Sequence, residues 1–377
     1  MKKRILILNG QYLPGYKGGG PIQSCVNMVQ NLSDKFDFYV LTADRDYKAT
    51  YPYEGIKVND WNKVGEANVF YMSPDKQSLK DFKNIFKEIE FDTVYLNGFF
   101  SPIFTIKPLL LRMIGGFKNK TVILTPRGDF TGGCENKKVK KYTYIFCAKI
   151  IGLYKDILWH ATSELEEKDI KKFFKNAKVF TVPNLATKYV PKREFLQKKT
   201  KKLHLIFISR IFPKKNLKYA LEVLSNVKNG EITFDIYGPM EDLQYWHECE
   251  KVIKKIPNNI TVNYKGEVTH SKVNSILSNY HALFFPTLGE NYGHVIVEAM
   301  MNNCIPILSK GVTPWDDYDE DGILLENLSN KNGFKEIINN LTLMDNDSFE
   351  MLVTKNKKYL MKKINSEHDR LKYYTHL

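Results

Sequence analysis

Seven residues separate Glu290 from Glu298 in the stretch Pro286-Thr287-Leu288-Gly289-Glu290-Asn291-Tyr292-Gly293-His294-Val295-Ile296-Val297-Glu298. The apolar run Ala282-Leu283-Phe284-Phe285 before it reads as a short buried strand. Pro286 and Gly289 stop that strand. From Gly293 the apolar spacing becomes helical, with Val295, Ile296, Ala299 and Met300 on one face. A strand therefore runs into a tight loop and then a helix start, whose N–H groups make a ready anion site. Carboxylates beside such a site repel what the helix attracts, unless the same ligand also carries hydroxyl groups for them to accept from. A nucleotide sugar carries both phosphates and sugars. Two cations fit the same ligand. Arg210 and Lys215 lie in the loop Ser209–Asn216, just after the strand Leu203–Ile208, where a diphosphate would rest. Arginine suits bidentate contact with phosphate, and lysine a point-charge contact.

The elements that must position these residues repeat one grammar in each half of the chain. In the first half, Ile5-Leu6-Ile7-Leu8 is a buried strand. A loop with Gly15, Gly18, Gly19 and Gly20 follows, then a helix with Ile22, Val26, Val29 and Leu32 on one face, then the strand Phe38–Leu41. Strand, glycine loop, helix, strand is a Rossmann-like unit. The loop is neither G-x-G-x-x-G nor a P-loop. Its adjacent glycines let backbone approach a phosphate or sugar, although a plain surface loop has the same composition. Val69–Tyr71, Thr93–Leu96, Val122–Thr125 and Val179–Val182 read as further strands. Lys188–Lys202, rich in lysine and polar residues, reads as a linker. The grammar then restarts with Leu203–Ile208, Phe234–Tyr237, Ile260–Gly266 and Cys304–Ser309 as strands. Gly238 and Gly266 sit at two of their ends.

Several residues admit two readings. Asp44-Arg45-Asp46 is a literal D-x-D, a divalent-metal motif elsewhere, here read as a polar loop after the second strand. Arg127, in Arg127-Gly128-Asp129, is offered at a strand end. His160 reads as a buried structural histidine. Trp315 either closes on a sugar or serves packing. Asp316–Asp321 reads as a solvated acidic turn. Ile103–Phe117 reads as a core helix. Lys137–Leu158 is a basic, apolar helix, either an ordinary amphipathic helix or a surface for anionic lipid.

Bulk composition limits the classes. A chain of 377 residues suits two domains, and 43% hydrophobic with 26% charged residues is globular. The net charge of +14 admits nucleic acid, an anionic membrane face or phosphorylated substrates as partners. Much of the excess lies between Cys134 and Lys202. Five scattered cysteines with no C-x-x-C pair argue against a disulfide framework and a zinc site, and point to a reducing compartment. Met1–Arg4 resembles a signal-peptide start, but the apolar run Ile5–Leu8 is too short, and no run reaches membrane-span length.

The Glu290–Glu298 stretch resembles the E-x7-E motif of retaining GT-B glycosyltransferases of family 4, and the order of the other motifs is similar over nearly the whole chain. That resemblance implies an α/β GT-B fold, with two Rossmann-like domains facing a central cleft and a C-terminal helix crossing back to the first domain. The implied boundaries are 1–190 for the acceptor domain, 203–355 for the donor domain and 356–377 for the returning helix. It implies a metal-independent glycosyltransferase of bacterial surface-polysaccharide assembly, with no cofactor. The donor would be a UDP- or GDP-linked sugar, and the acceptor a saccharide or a polyprenyl-diphosphate-linked saccharide. Glu290, Arg210 and Lys215 would be catalytic. Donor contacts would come from Gly19, Gly20, Arg127, Arg210, Lys215, Gly238, Glu290, Asn291, Tyr292, Gly293, His294 and Glu298. Similar enzymes often carry a histidine where Asn97 stands here. A cytoplasmic location is expected, with contact to the inner face of the inner membrane as an option and no nucleic-acid partner. The rival readings are a nucleotide-sugar epimerase of the same fold and a basic nucleic-acid-binding protein, for which clustered aromatic-basic motifs are missing.

Overall fold

A computed structural model describes residues 2–117, 119–130, 138–188, 196–316, 322–364 and 366–377. The chain divides into two compact units, Met1–Lys188 with Asn365–Leu377, and Tyr189–Ile364. Much of the expected linker, residues 189–195, and most of the acidic turn expected at 316–321 lie outside the described residues.

The first unit runs β1 (Lys3–Leu8), α1 (Gly20–Leu32), β2 (Phe36–Ala43), β3 (Trp61–Val64), β4 (Ala67–Met72), α2 (Leu79–Glu88), β5 (Thr93–Asn97), α3 (Lys107–Met113), β6 (Thr121–Thr125), α4 (Lys138–Ile150), β7 (Leu158–Ala161), α5 (Glu164–Phe173) and β8 (Lys178–Thr181). Its sheet has the order β3-β4-β2-β1-β5-β6-β7-β8. Among the described strands only β3, on the edge, pairs antiparallel. The uninterrupted apolar run of β1 follows from this position. Ile5 and Ile7 join one core while Leu6 and Leu8 join another, so both faces of the strand are covered. Each such side chain contributes about 1.5–3 kcal/mol by leaving water.

The second unit runs β9 (Lys202–Ile208), α6 (Leu217–Leu224), β10 (Glu231–Tyr237), α7 (Leu243–Ile253), β11 (Ile260–Gly266), α8 (His270–Leu277), β12 (Ala282–Phe285), α9 (His294–Met301), β13 (Ile305–Ser309), β14 (Leu324–Glu326), α10 (Lys331–Leu343) and α11 (Asn346–Lys363). The sheet, ordered β11-β10-β9-β12-β13-β14, is parallel throughout. Phe284 and Phe285 of β12 are fully buried, one packing on Phe234 and the other on Phe207.

The chain ends in α12 (Glu367–His376), which belongs to the first unit. Tyr373 and Leu377 enter its core, and Thr93 Oγ1 donates to the Leu377 carbonyl at 2.8 Å. The returning segment is shorter than the single helix expected over 356–377. Ile364 is extended, which ends α11, and the Ser366 side chain caps a new helix by accepting from Asp369 N. Residues up to Ile364 stay with the second unit.

Candidate functional site

The second sheet is built outward in two directions. From β9 the chain moves through β10 to β11 on one side, and β12, β13 and β14 lie on the other. The strand order therefore reverses between the neighbours β9 and β12. Crevices outside the C-terminal ends of strands at such a reversal are the general ligand sites of open α/β sheets. The loops leaving these two strands are the ones that carry Arg210, Lys215 and Glu290.

Backbone and side-chain bonds tie the two loops together. Leu288 N donates to the Lys214 carbonyl at 2.9 Å, and Asn216 Nδ2 donates to the Pro286 carbonyl at 2.9 Å. Asn216 holds a left-handed conformation, φ 61°, between the Pro213–Lys215 turn and α6. A third loop, after β13, joins them. Ser309 Oγ donates to the Thr287 carbonyl at 2.8 Å, and Glu290 N donates to the Val312 carbonyl at 2.9 Å. In this frame Lys215 Nζ pairs with Glu290 Oε1, both side chains largely buried. The ammonium also lies 5.4 Å from the centre of the Phe285 ring, a cation–π contact. Arg210 turns to another carboxylate, Glu241, at 2.9 Å, and lies over the Phe212 ring. Both expected phosphate-binding cations thus have carboxylate partners of their own.

Helix α9 starts from the same frame. Gly293 is its N-cap at φ 76°, where L side chains rarely sit, and with no side chain it supplies no side-chain cap of its own. A Cβ on Gly293 would come within 2.6 Å of Ile296 Cδ1. The first turn has no acidic residue. The positive end of the helix is therefore unopposed by carboxylates of its own and suits an anion. Tyr292, just before the cap, is buried. Its carbonyl accepts from Trp315 Nε1 at 2.6 Å, and its ring packs against His294 and Trp315. Trp315 is itself buried and meets Tyr359 of α11, so packing is its role here.

Glu298, about a turn into α9, is buried, and its Oε1 lies 2.8 Å from His270 Nε2. Burial works against a charged His270, but the bond to Glu298 and the carboxylate's charge raise its pKa above the ordinary value. His270 escaped sequence reasoning because it lies 28 positions away, with no motif around it. The available signal was its place at the first turn of a helix following the end of β11, on the same sheet edge. Gly238, at the end of β10, adopts φ 132°. A Cβ there would meet the Ser209 carbonyl at 1.9 Å, so the position admits only glycine. Its own carbonyl accepts from Tyr264 OH at 2.9 Å.

The remaining expected residues lie in the first unit, whose strand order reverses between β1 and β5. Gly19 caps α1 at φ 67° and Gly20 opens the helix. Asp46 holds the preceding loop by accepting from Tyr16 N at 3.0 Å and Lys17 N at 3.2 Å. Asp44 is buried and paired with Arg45 at 2.7 Å. The D-x-D carboxylates are therefore occupied by protein groups. Asn97, at the end of β5, donates to the Pro21 carbonyl at 3.3 Å and accepts from Arg127 Nε at 2.6 Å. Arg127 also donates to Asn184 Oδ1 and, at 3.4 Å, to Tyr95 OH. Expected at a ligand, its guanidinium is engaged with oxygens of its own unit. His160 is fully buried between Tyr95 OH and the Val182 carbonyl. Burial, with the nearby Arg127 charge, pulls its pKa down to about 3, so it is neutral.

Residues 191–366, essentially the second unit, match the family model described as "Glycosyl transferases group 1". Over 155 residues, 40% of the chain, the sequence is 23% identical to the O-antigen chain mannosyltransferase RfbU of Salmonella typhimurium. That match spans 42% of the relative's length. Sucrose-phosphate synthase from Thermosynechococcus elongatus is similar over 99% of this chain and 98% of its own, with TM-score 0.75 at 13% identity. Anabaena HepE, solved in complex with UDP and glucose, is similar over 99% and 98%, with TM-score 0.70 at 12% identity. These likenesses show the fold, which is GT-B across both units.

Proposed function

We propose that the protein is a retaining glycosyltransferase of family 4 type. It moves a sugar from a UDP- or GDP-linked donor to a saccharide or a polyprenyl-diphosphate-linked saccharide, in the assembly of bacterial surface polysaccharide. The observation that carries this reading is the Lys215–Glu290 pair on the two tied loops where the strand order reverses, beside the start of α9. The match of residues 191–366 to group 1 glycosyltransferases and the likeness to a mannosyltransferase support it. HepE, whose structure holds UDP and glucose, supports a nucleotide-sugar donor.

In this reading the donor diphosphate lies against the start of α9. Arg210 and Lys215 turn from Glu241 and Glu290 to its oxygens and offset the charge that grows as the glycosidic bond breaks. Glu290, released from Lys215, accepts hydroxyls of the donor sugar and sets its orientation. Glu298 accepts the ribose hydroxyls while His270 holds its other oxygen. The acceptor hydroxyl enters on the face the diphosphate leaves, which retains configuration. No metal is needed, because helix and cations supply the positive charge. A lipid-linked acceptor would bring the enzyme to the cytoplasmic face of the inner membrane.

The test is a thermal-shift panel of UDP-, GDP-, ADP- and dTDP-sugars, followed by product analysis with saccharide acceptors. Stabilisation by one donor and glycoside formation with the donor's anomeric configuration is the expected result. Conversion of the nucleotide sugar with no acceptor present would favour an epimerase instead.

A further inference from the structure

Helix α4 has two apolar faces. Ile145 and Ala148 are buried in the first unit's core, as an amphipathic helix requires. Val139, Tyr142, Phe146 and Ile150 follow one another at i, i+3, i+7 and i+11 on the opposite side, and they are 76%, 54%, 64% and 68% exposed. Single exposed apolar residues are ordinary; a continuous stripe of them is not.

The stripe runs beside a cavity. Tyr142 packs on Phe173 at 5.7 Å between ring centres, and Phe173 lines a pocket of about 560 Å³ at the N-terminal edge of β7 and β8. That is the edge opposite the strand ends that carry the first unit's candidate loops. The pocket floor is aromatic, with Trp159 and Phe174. Its rim carries Lys149, Lys155, Lys172, Lys175 and Lys178, against one carboxylate among the described lining residues, Asp156. Lys149 belongs to α4 itself and lies 5.1 Å from the Phe174 ring centre.

We propose that the α4 stripe and the lysine-rimmed pocket form one docking surface for an anionic phospholipid bilayer. Val139, Phe146 and Ile150 enter the headgroup–acyl boundary, while the lysines receive lipid phosphates. The two chemistries lie side by side as an interfacial helix needs them. A free phosphate would use the lysines but leave the apolar stripe without a partner. A nucleic acid would use lysines and rings but gain nothing from Val139 and Ile150. No described helix is long and apolar enough to cross a membrane, so the contact is a surface one.

The experiment is flotation of the full chain with vesicles of phosphatidylcholine alone or mixed with phosphatidylglycerol. Binding to the mixed vesicles only, weakened by salt, is expected. Lys172→Gln with Lys175→Gln should lower partitioning about fivefold for each lysine removed. Phe146→Ser with Ile150→Ser should lower it about tenfold or more. All four side chains are solvent-facing or at the rim, and circular dichroism verifies folding. Lys254→Gln with Lys255→Gln, elsewhere on the chain, is the charge-matched control and should leave binding nearly unchanged. The proposal is overturned by equal binding to both vesicle types, or by no binding. Equal loss in the control pair would assign binding to net charge and overturn it. So would displacement by inorganic phosphate at constant ionic strength, which would mark a free-phosphate site. None of these readouts needs catalysis, so their failure is separable from failure of the proposed glycosyl transfer.

Discussion

His270 Nε2 lies 2.8 Å from Glu298 Oε1, and this contact links the first turn of α8 to the buried second glutamate of the E-x7-E motif. The His270 pKa is raised in the folded chain. Its protonated form therefore stabilises the fold below the ordinary histidine pKa, and that contribution is lost as pH climbs through the raised value. The expected outcome is a Tm gap between the native chain and His270→Gln that is largest at and below about pH 6 and shrinks as pH rises above the ordinary histidine range. A gap that stays constant with pH would count against the charged pair.

Removing Glu298 should act on donor binding first. Glu298→Ala deletes the carboxylate proposed above to accept the ribose hydroxyls and should weaken donor affinity by about ten- to a hundredfold, read by calorimetry. Unchanged affinity would remove Glu298 from the donor site.

Lys215 is paired with Glu290, so single changes have two effects. Lys215→Ala should lower kcat by about a hundredfold or more through lost stabilisation of the leaving diphosphate. It also leaves a largely buried carboxylate alone, which lowers Tm. The double variant Lys215→Ala with Glu290→Gln should recover Tm but not turnover. Recovery of both would make the pair structural only.

The D-x-D motif yields a prediction about metal. Asp44 is committed to Arg45 and Asp46 to the glycine-loop backbone. Activity should persist in EDTA, and Asp46→Ala should impair the enzyme without any rescue by Mn²⁺. Loss in EDTA with Mn²⁺ rescue would restore these aspartates as ligands.

Gly238 and Gly266 separate two costs. At Gly266, φ 82°, nothing lies within 4 Å of an added Cβ, so Gly266→Ala costs about 1–2 kcal/mol of backbone strain. At Gly238, φ 132°, the added Cβ also meets the Ser209 carbonyl, so Gly238→Ala should depress Tm clearly further by thermal unfolding.

Local signals carried much of the fold. Ile5–Leu8 and Ala282–Phe285 were legible as buried strands because parallel strands covered on both faces are apolar at every position. Gly293 and the spacing after it marked the start of α9, since a left-handed cap and a helical period are both written within a few residues. The sequence alone thus determined the alternating α/β architecture, and it singled out Glu290, Glu298, Arg210 and Lys215. It could not determine partners. Lys215 meets Glu290 across 75 positions, and Arg210 meets Glu241 rather than a shared neighbour. His270 finds Glu298, and Arg127 turns to Asn97 and Asn184. Nor could it tell that Trp315 would be buried against Tyr292, or that α4 would present a second apolar face to water. Those outcomes depend on strand order and on where it reverses, which brings together loops remote in sequence. Periodicity and turn chemistry act over a few residues, whereas pairing across a sheet is decided by the packing of the whole unit.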